Sequence, residues 1–247
     1  MDFDVIIPAR YASTRLPGKP LIDIGGKPLI QWVCECAMES SARRVMVATD
    51  DERIRNAVEG FGGKAYLTQS GHNSGSDRIA EVVDSLETPD DAIVINVQGD
   101  EPRMPGVLID QVARILADDE TSMAGTACHR IESSEEYLDP NVVKVVRDMK
   151  GRALYFSRAP IPWARDKDSD RLIAFRHIGI YGFRVGFLKE FTAWPMTELE
   201  STERLEQLRI LENGIPITVC EAAELPGPGI DTPEDLENFR CWVTQNG

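Results

Sequence analysis

The sequence predicts an α/β protein: a doubly wound, mostly parallel sheet with a smaller mixed-sheet subdomain. Three observations predict it. Short apolar runs alternate with helix-length segments through the first half of the chain, the alternation breaks after about Gly125 into a set of strand-like runs, and the chain closes on a helix.

Phe3 to Ile7 is a short apolar run ended by Pro8, and Val45 to Ala48 and Ile93 to Val97 repeat its form. Strands covered on both faces have this character, because neither face can afford a polar row. Between them Leu29 to Met38, Asp51 to Val58 and Asp77 to Leu86 read as helices long enough for crossovers, and the βαβαβ order gives the parallel sheet. Past Gly125, NVVKVVRD, ALYFSRAPIPW and FRHIGIYGFRV read as strands in a mixed or antiparallel arrangement, broken by the polar loop Ala164 to Asp170. LESTERLEQLRILENG reads as one helix closed by Gly214, and TPEDLENFRCWV as the last helix, with Thr232 as N-cap and Pro233 in the first turn. GKPLI occurs at Gly18 and again at Gly26; two copies so close together are turns, not a repeat fold.

A chain of 247 residues with 42% apolar content buries a substantial core without staples. Its five cysteines are odd in number and scattered, and the CEC at Cys34 to Cys36 has the wrong spacing for a zinc knuckle or a redox pair, so buried or free thiols in a reducing cytoplasm are expected. The opening MDFDVIIPAR lacks the charged n-region and long h-region of a signal peptide, and no run reaches spanning length, so a cytoplasmic protein without membrane insertion is expected. With 41 acids against 27 bases, the net charge of −14 repels nucleic-acid backbones, and no nucleic-acid partner is expected. A bound polyanion must meet a locally basic or metal-bearing pocket.

One such pocket is legible. IPARYASTRLPGKPL, Ile7 to Leu21, carries Arg10, Arg15 and Lys19 with no acid among them, and it follows the first strand, where an open α/β sheet binds its ligands. With Ser13, Thr14 and Gly18 it reads as an anion-binding loop; the plainer alternative is a solvated basic loop. GxGxxG is absent from the loop and GxxxxGK[ST] from the chain, which removes the main support for dinucleotide binding and P-loop hydrolysis. Gln98-Gly99-Asp100-Glu101-Pro102 follows the third strand at the same sheet edge. Asp100 there is either a turn-forming acid or a ligand for magnesium, which takes carboxylates together with phosphate oxygens. Asp231, before the last helix, either complements the helix dipole or supplies a second carboxylate. In HNSGSDR, helix capping accounts for Ser76 and Asp77, leaving Ser74, Gly75 and Arg78 as possible nucleotide contacts. His129 reads as structural, and His177, on a strand beside Arg176, either faces a pocket or packs in the core. No Ser-His-Asp or Cys-His arrangement stands out.

IPARYASTRLPGKPL, SGSDR, NVQGDEP, DPNVVKVV, ALYFSRAPIPW, RHIGIYGF, LEQLR and GIDTPEDL, in this order and over nearly the whole chain, resemble the 3-deoxy-manno-octulosonate cytidylyltransferase family. The resemblance implies a fold of nucleotide-diphospho-sugar transferase type, with a nucleotide-binding core at about 1–125 and 215–247 and a sugar-binding and dimerisation subdomain at about 126–214. It implies a homodimer that transfers CMP from CTP to the anomeric hydroxyl of 3-deoxy-D-manno-octulosonate (Kdo), releasing pyrophosphate, with Mg2+ as cofactor, for lipopolysaccharide biosynthesis. Carried onto matching positions, Arg10, Lys19, Asp100 and Asp231 are the catalytic set. Arg10 and Lys19 hold phosphate oxygens, Arg15 lies near the leaving pyrophosphate, and Pro8, Ala9, Ser74, Gly75 and Arg78 wrap cytosine and ribose. Asp100 and Asp231 coordinate magnesium. Gln98, Arg158, His177, Tyr181, Glu206 and Gln207 line the sugar pocket, with Arg158 as partner of the sugar carboxylate. The loop at Ala164 to Asp170 is short for the family, and PMTELESTER diverges. The 8-amino analogue of Kdo, another acidic 2-keto sugar, or a non-catalytic nucleotide-sugar sensor are the alternative readings.

Overall fold

The computed structural model describes residues 1–12, 16–165 and 173–246. The chain begins with β1 (Phe3–Ala9), a small hairpin β2 (Asp23–Ile24) and β3 (Lys27–Pro28), then α1 (Leu29–Met38), β4 (Arg44–Thr49), α2 (Glu52–Gly60), β5 (Lys64–Leu67), α3 (Gly75–Ser85) and β6 (Ile93–Asn96). It continues through α4 (Gly106–Ala117), β7 (Ala124–Arg130), α5 (Ser134–Leu138), β8 (Lys144–Arg147), β9 (Ala153–Ser157), β10 (Phe175–Arg184) and α6 (Val185–Thr192). The last elements are α7 (Glu198–Glu203), α8 (Gln207–Glu212), β11 (Ile217–Glu221) and α9 (Pro233–Asn246).

The main sheet runs β11-β7-β10-β6-β1-β4-β5, with β8 and β9 extending from the end of β10. Pairings of β1 with β4 and β6, of β4 with β5 and of β7 with β11 are parallel; β10 is antiparallel to both of its neighbours β6 and β7. The mostly parallel sheet expected from the sequence is therefore present, and the antiparallel strands fall where the apolar pattern changes. Alternation along β1 shows why it is buried on both faces. Val5, Ile7 and Ala9 enter one core with α1, α2 and α4, while Ile6 enters the other with α3, α6 and α8. From β1 the chain winds outward through β4 and β5, then returns to β6 on β1's other side. Such a reversal leaves a crevice outside the carboxyl ends of the two central strands.

Two sequence readings need correction. LESTERLEQLRILENG is not one helix: α7 ends at Glu203, followed by Arg204, whose backbone is left-handed (φ 56°), and α8 starts at Gln207. The break is held by a buried ion pair, Arg209 to Glu200, which ties the two short helices side by side in a way one straight helix could not. In α3 the N-cap is Ser74, not Ser76: the Ser74 hydroxyl accepts from the Asp77 amide at 3.1 Å and Asp77 accepts from the Ser74 amide at 3.0 Å, a complete capping box. Thr232 does cap α9, through the same reciprocal pattern with Asp235.

Candidate active site

Both central strands end at one cavity of about 420 Å3, lined by Pro8, Ala9 and Arg10 from the end of β1, by Gln98 and Asp100 after β6, and by the start of α3. The two strand-end loops touch. A Cβ at Gly99 would stand 2.8 Å from the Pro8 carbonyl oxygen, so only glycine lets them close to this distance. At the base of the basic loop the Gly18 amide donates to the Tyr11 carbonyl at 3.1 Å. Gly18 has φ 69°, and the Arg53 guanidinium lies over the Tyr11 ring at 3.4 Å, which pins the entry to the loop against α2.

Lys19 occupies the centre of the site. Its ammonium donates to Asp100 Oδ2 at 2.7 Å, to the Ile230 carbonyl at 2.8 Å and to Asp231 Oδ1 at 3.2 Å. Asp100 and Asp231, far apart in sequence, thus meet around one cation. Arg10 is exposed at the cavity mouth. Arg15 lies outside the described residues, as does most of the Ala164 to Asp170 loop. Glu101, beside Asp100, has its carboxyl pushed up to about 8, first by burial and then by the neighbouring Asp100.

Ser74, Gly75 and Arg78 line the cavity from the first turns of α3. The Arg78 guanidinium is held by Asp50 at 3.2 Å and by the Thr68 hydroxyl, so its direction is fixed before any ligand arrives. His72 and Asn73 line the same wall and were not singled out by sequence; the polar HNSG stretch was their only signal.

The other residues form a second group that is not part of this cavity's wall. His177 and Tyr181 sit on β10 with ring centroids 5.3 Å apart, although four strand residues would ordinarily span much more. A bulge explains this: Ala127 pairs with Ile178 and the adjacent Thr126 with Tyr181, leaving Gly179 and Ile180 without partners on β7. The Thr126 hydroxyl organises it, donating to the Ile180 carbonyl at 2.7 Å. Its single proton being spent there, Thr126 Oγ1 accepts from His177 Nε2 at 3.0 Å. Burial, and secondarily Arg176, push the His177 pKa down to about 3, so the ring is neutral with Nδ1 free to accept. Glu206 accepts from the Ser76 hydroxyl at 2.8 Å through Oε2. Its Oε1 and the Tyr181 hydroxyl oxygen are buried with no hydrogen-bond partner among the described residues. Burial raises the pKa of both groups; for Tyr181 the Glu206 charge adds to it, while for Glu206 the Ser74 and Ser76 hydroxyls oppose it. Two unsatisfied buried acceptors and donors in one neighbourhood are costly unless a ligand supplies what they lack. Gln207 is buried at the start of α8. The Arg158 guanidinium donates to the Glu203 carbonyl at 2.8 Å and the Pro140 carbonyl at 3.0 Å, so much of its donor capacity is engaged within the protein.

A divalent cation fits between Asp100 and Asp231, because an ammonium already stands there as a stand-in for it. No group of three or more His, Cys, Asp or Glu side chains suited to a metal was found among the described residues. A metal would therefore take its remaining ligands from substrate oxygens and water, as magnesium commonly does.

The cytidylyltransferase family profile matches residues 5–219. The chain is 54% identical to the 3-deoxy-manno-octulosonate cytidylyltransferase of Hahella chejuensis, covering 99% of this chain and 98% of the relative. It is 55% identical to that of Pseudomonas fluorescens, covering 96% of each. Among solved structures it is similar to a CMP:2-keto-3-deoxy-manno-octonic acid synthetase complexed with CTP, at 43% identity and a TM-score of 0.93 over 100% of this chain and 99% of the other. A 4-diphosphocytidyl-2C-methyl-D-erythritol synthase, 11% identical with a TM-score of 0.64 over 98% of each chain, shares the fold.

Proposed function

We propose, from the premise that this chain belongs to the 3-deoxy-manno-octulosonate cytidylyltransferase family, that it transfers CMP from CTP to the anomeric hydroxyl of Kdo for lipopolysaccharide assembly. The observation that carries the reading is the Lys19 ammonium bracketed by Asp100 and Asp231 at the carboxyl ends of β1 and β6. One basic and two acidic groups meeting at this sheet edge support a site for a triphosphate and its counter-ion.

In this reading the triphosphate lies along the loop after β1, with Arg10 and Lys19 on its oxygens, and Lys19 exchanges carboxylates for phosphate as it binds. Pro8, Ala9, Ser74, Gly75 and Arg78 enclose the cytosine and ribose, and the prefixed Arg78 needs little ordering. Asp100 and Asp231 hold Mg2+, which when bound neutralises charge on the phosphate oxygens and lowers the pKa of a coordinated hydroxyl. The sugar hydroxyl gives up its proton to water and attacks the α-phosphorus, the bond from that phosphorus to the α–β bridging oxygen breaks, and pyrophosphate leaves. The chain's contribution is alignment and charge compensation, without a covalent intermediate on a side chain. Neutral His177, Tyr181, Glu206, Gln207 and Gln98 provide donors and acceptors for the sugar hydroxyls. Exposed Leu154 on β9 and exposed Trp163, after it in the chain, support the homodimer as a further part of the same reading.

The test is product identification: enzyme, CTP, Kdo and Mg2+ followed by 31P NMR. Formation of a new phosphodiester resonance with stoichiometric pyrophosphate supports the reading, and CTP left intact defeats it.

A further inference from the structure

We propose that Ser76 is a positioning residue that couples α3, which lines the nucleotide cavity, to Glu206 in the sugar pocket. This rests on the reading of Glu206 as a sugar-contacting residue. Ser76 is only 2% exposed, and as Ser74 is the helix cap, its hydroxyl serves no turn of its own helix. It donates instead to Glu206 Oε2 at 2.8 Å, across 130 residues of sequence.

The consequence lies in what the bond prevents. Among the described residues Glu206 Oε1 has no hydrogen-bond partner, and Arg209 Nη2 stands 3.9 Å from it. Arg209 is already committed to Glu200 at 2.5 Å and is fixed there. A carboxylate released from Ser76 keeps only the Ser74 hydroxyl beside it, itself engaged in the helix cap, and can turn about its terminal torsion, which is broad and two-fold, toward Arg209. With Ser76 in place, Oε2 is held and Oε1 remains open to accept from a ligand. Because Ser74, Gly75 and Arg78 lie on the same two turns as Ser76, a nucleotide that seats α3 also seats the Glu206 carboxylate. The coupling between the nucleotide cavity and the Glu206 carboxylate then has a physical carrier: one serine hydroxyl between the starts of α3 and α8.

Steady-state kinetics on Ser76→Ala, varying each substrate in turn, tests this. KM for Kdo should rise about tenfold, the typical effect of losing a hydrogen bond to a charged group, with KM for CTP unchanged within about twofold. Ser76→Cys, nearly isosteric but a weak donor, should give the same split. In a Glu206→Ala background the Ser76→Ala change should have no further effect, since its target is gone. A rise in KM for CTP equal to that for Kdo, or an undiminished effect of Ser76→Ala in the Glu206→Ala background, overturns the coupling. Wild-type protein that fails to turn over Kdo overturns the functional reading beneath it, a result distinct from both.

Discussion

Replacing Lys19 by Met should tighten divalent-cation binding to the nucleotide-free protein while suppressing turnover. The ammonium holds Asp100 at 2.7 Å with side-chain exposures of 14% and 33%, and Asp231 at 3.2 Å, where the acid is 53% exposed. The Asp231 contact is largely screened and is set aside. The half-buried Asp100 bond, charged on both sides, is worth about 1.5–3 kcal/mol, and a metal entering between the carboxylates must replace it. Methionine keeps the volume of the lysine stem and removes the competitor, so Mn2+ affinity without nucleotide should rise about 10- to 100-fold. Titration of Mn2+ by electron paramagnetic resonance measures the free ion directly. Unchanged or weaker binding in Lys19→Met would refute the idea that the ammonium stands in the cation's place. With CTP and Kdo present the variant should lose turnover, because the same side chain is assigned to phosphate.

Other expectations follow from the same geometry. Asp100→Ala or Asp231→Ala should each lower kcat by about 100-fold or more, the scale of several kcal/mol of charge stabilisation; near-wild-type kcat in both would remove the metal assignment. Arg209→Met leaves Glu200 buried without its partner, and thermal unfolding should show a loss of about 3–5 kcal/mol, or ~6–20 °C in Tm. A shift under about 2 °C would mean the pair does not hold α7 against α8. Burial tends to raise the Asp4 carboxyl, but hydrogen bonds from Arg44 and Arg43 outweigh it and hold its pKa below the usual 3.8. A carboxyl lowered in the folded state adds stability that is present above pH 3.8 and is lost as pH falls through the folded value. Asp4→Asn should thus cost about 2 kcal/mol in urea unfolding at pH 7 and progressively less below pH ~4, and a cost independent of pH would contradict the assignment.

The central sheet was legible because β1, β4 and β6 are buried on both faces and are therefore mostly apolar, with polar residues such as Asp4 and Asn96 near their ends. β5 was not, since its residues Lys64–Leu67 are only half covered at the sheet edge, and β7 hides in AGTACHR, where small residues leave room for α4. The anion loop and Asp100 could be placed from strand order alone. That Asp231 joins them could not, because its approach depends on how α9 packs, and the broken α7–α8 turn depends on a buried pair nine positions apart in the chain. The β10 bulge had one local signal, Gly179 inside a strand pattern, but its effect on His177 and Tyr181 required Thr126 from a different strand. Capping propensity accepts Ser74 and Ser76 alike, and it takes the folded positions of Asp77 and Glu206 to separate their roles.

The most direct measurement is pyrophosphate release from CTP across a panel of 2-keto sugar acids, including Kdo, its 8-amino analogue and a nonulosonate, with and without Mg2+. The account predicts release only when CTP, Mg2+ and sugar are all present, with the highest kcat/KM for Kdo. Faster turnover of a nonulosonate, or tight CTP binding with no release on any member of the panel, would contradict it.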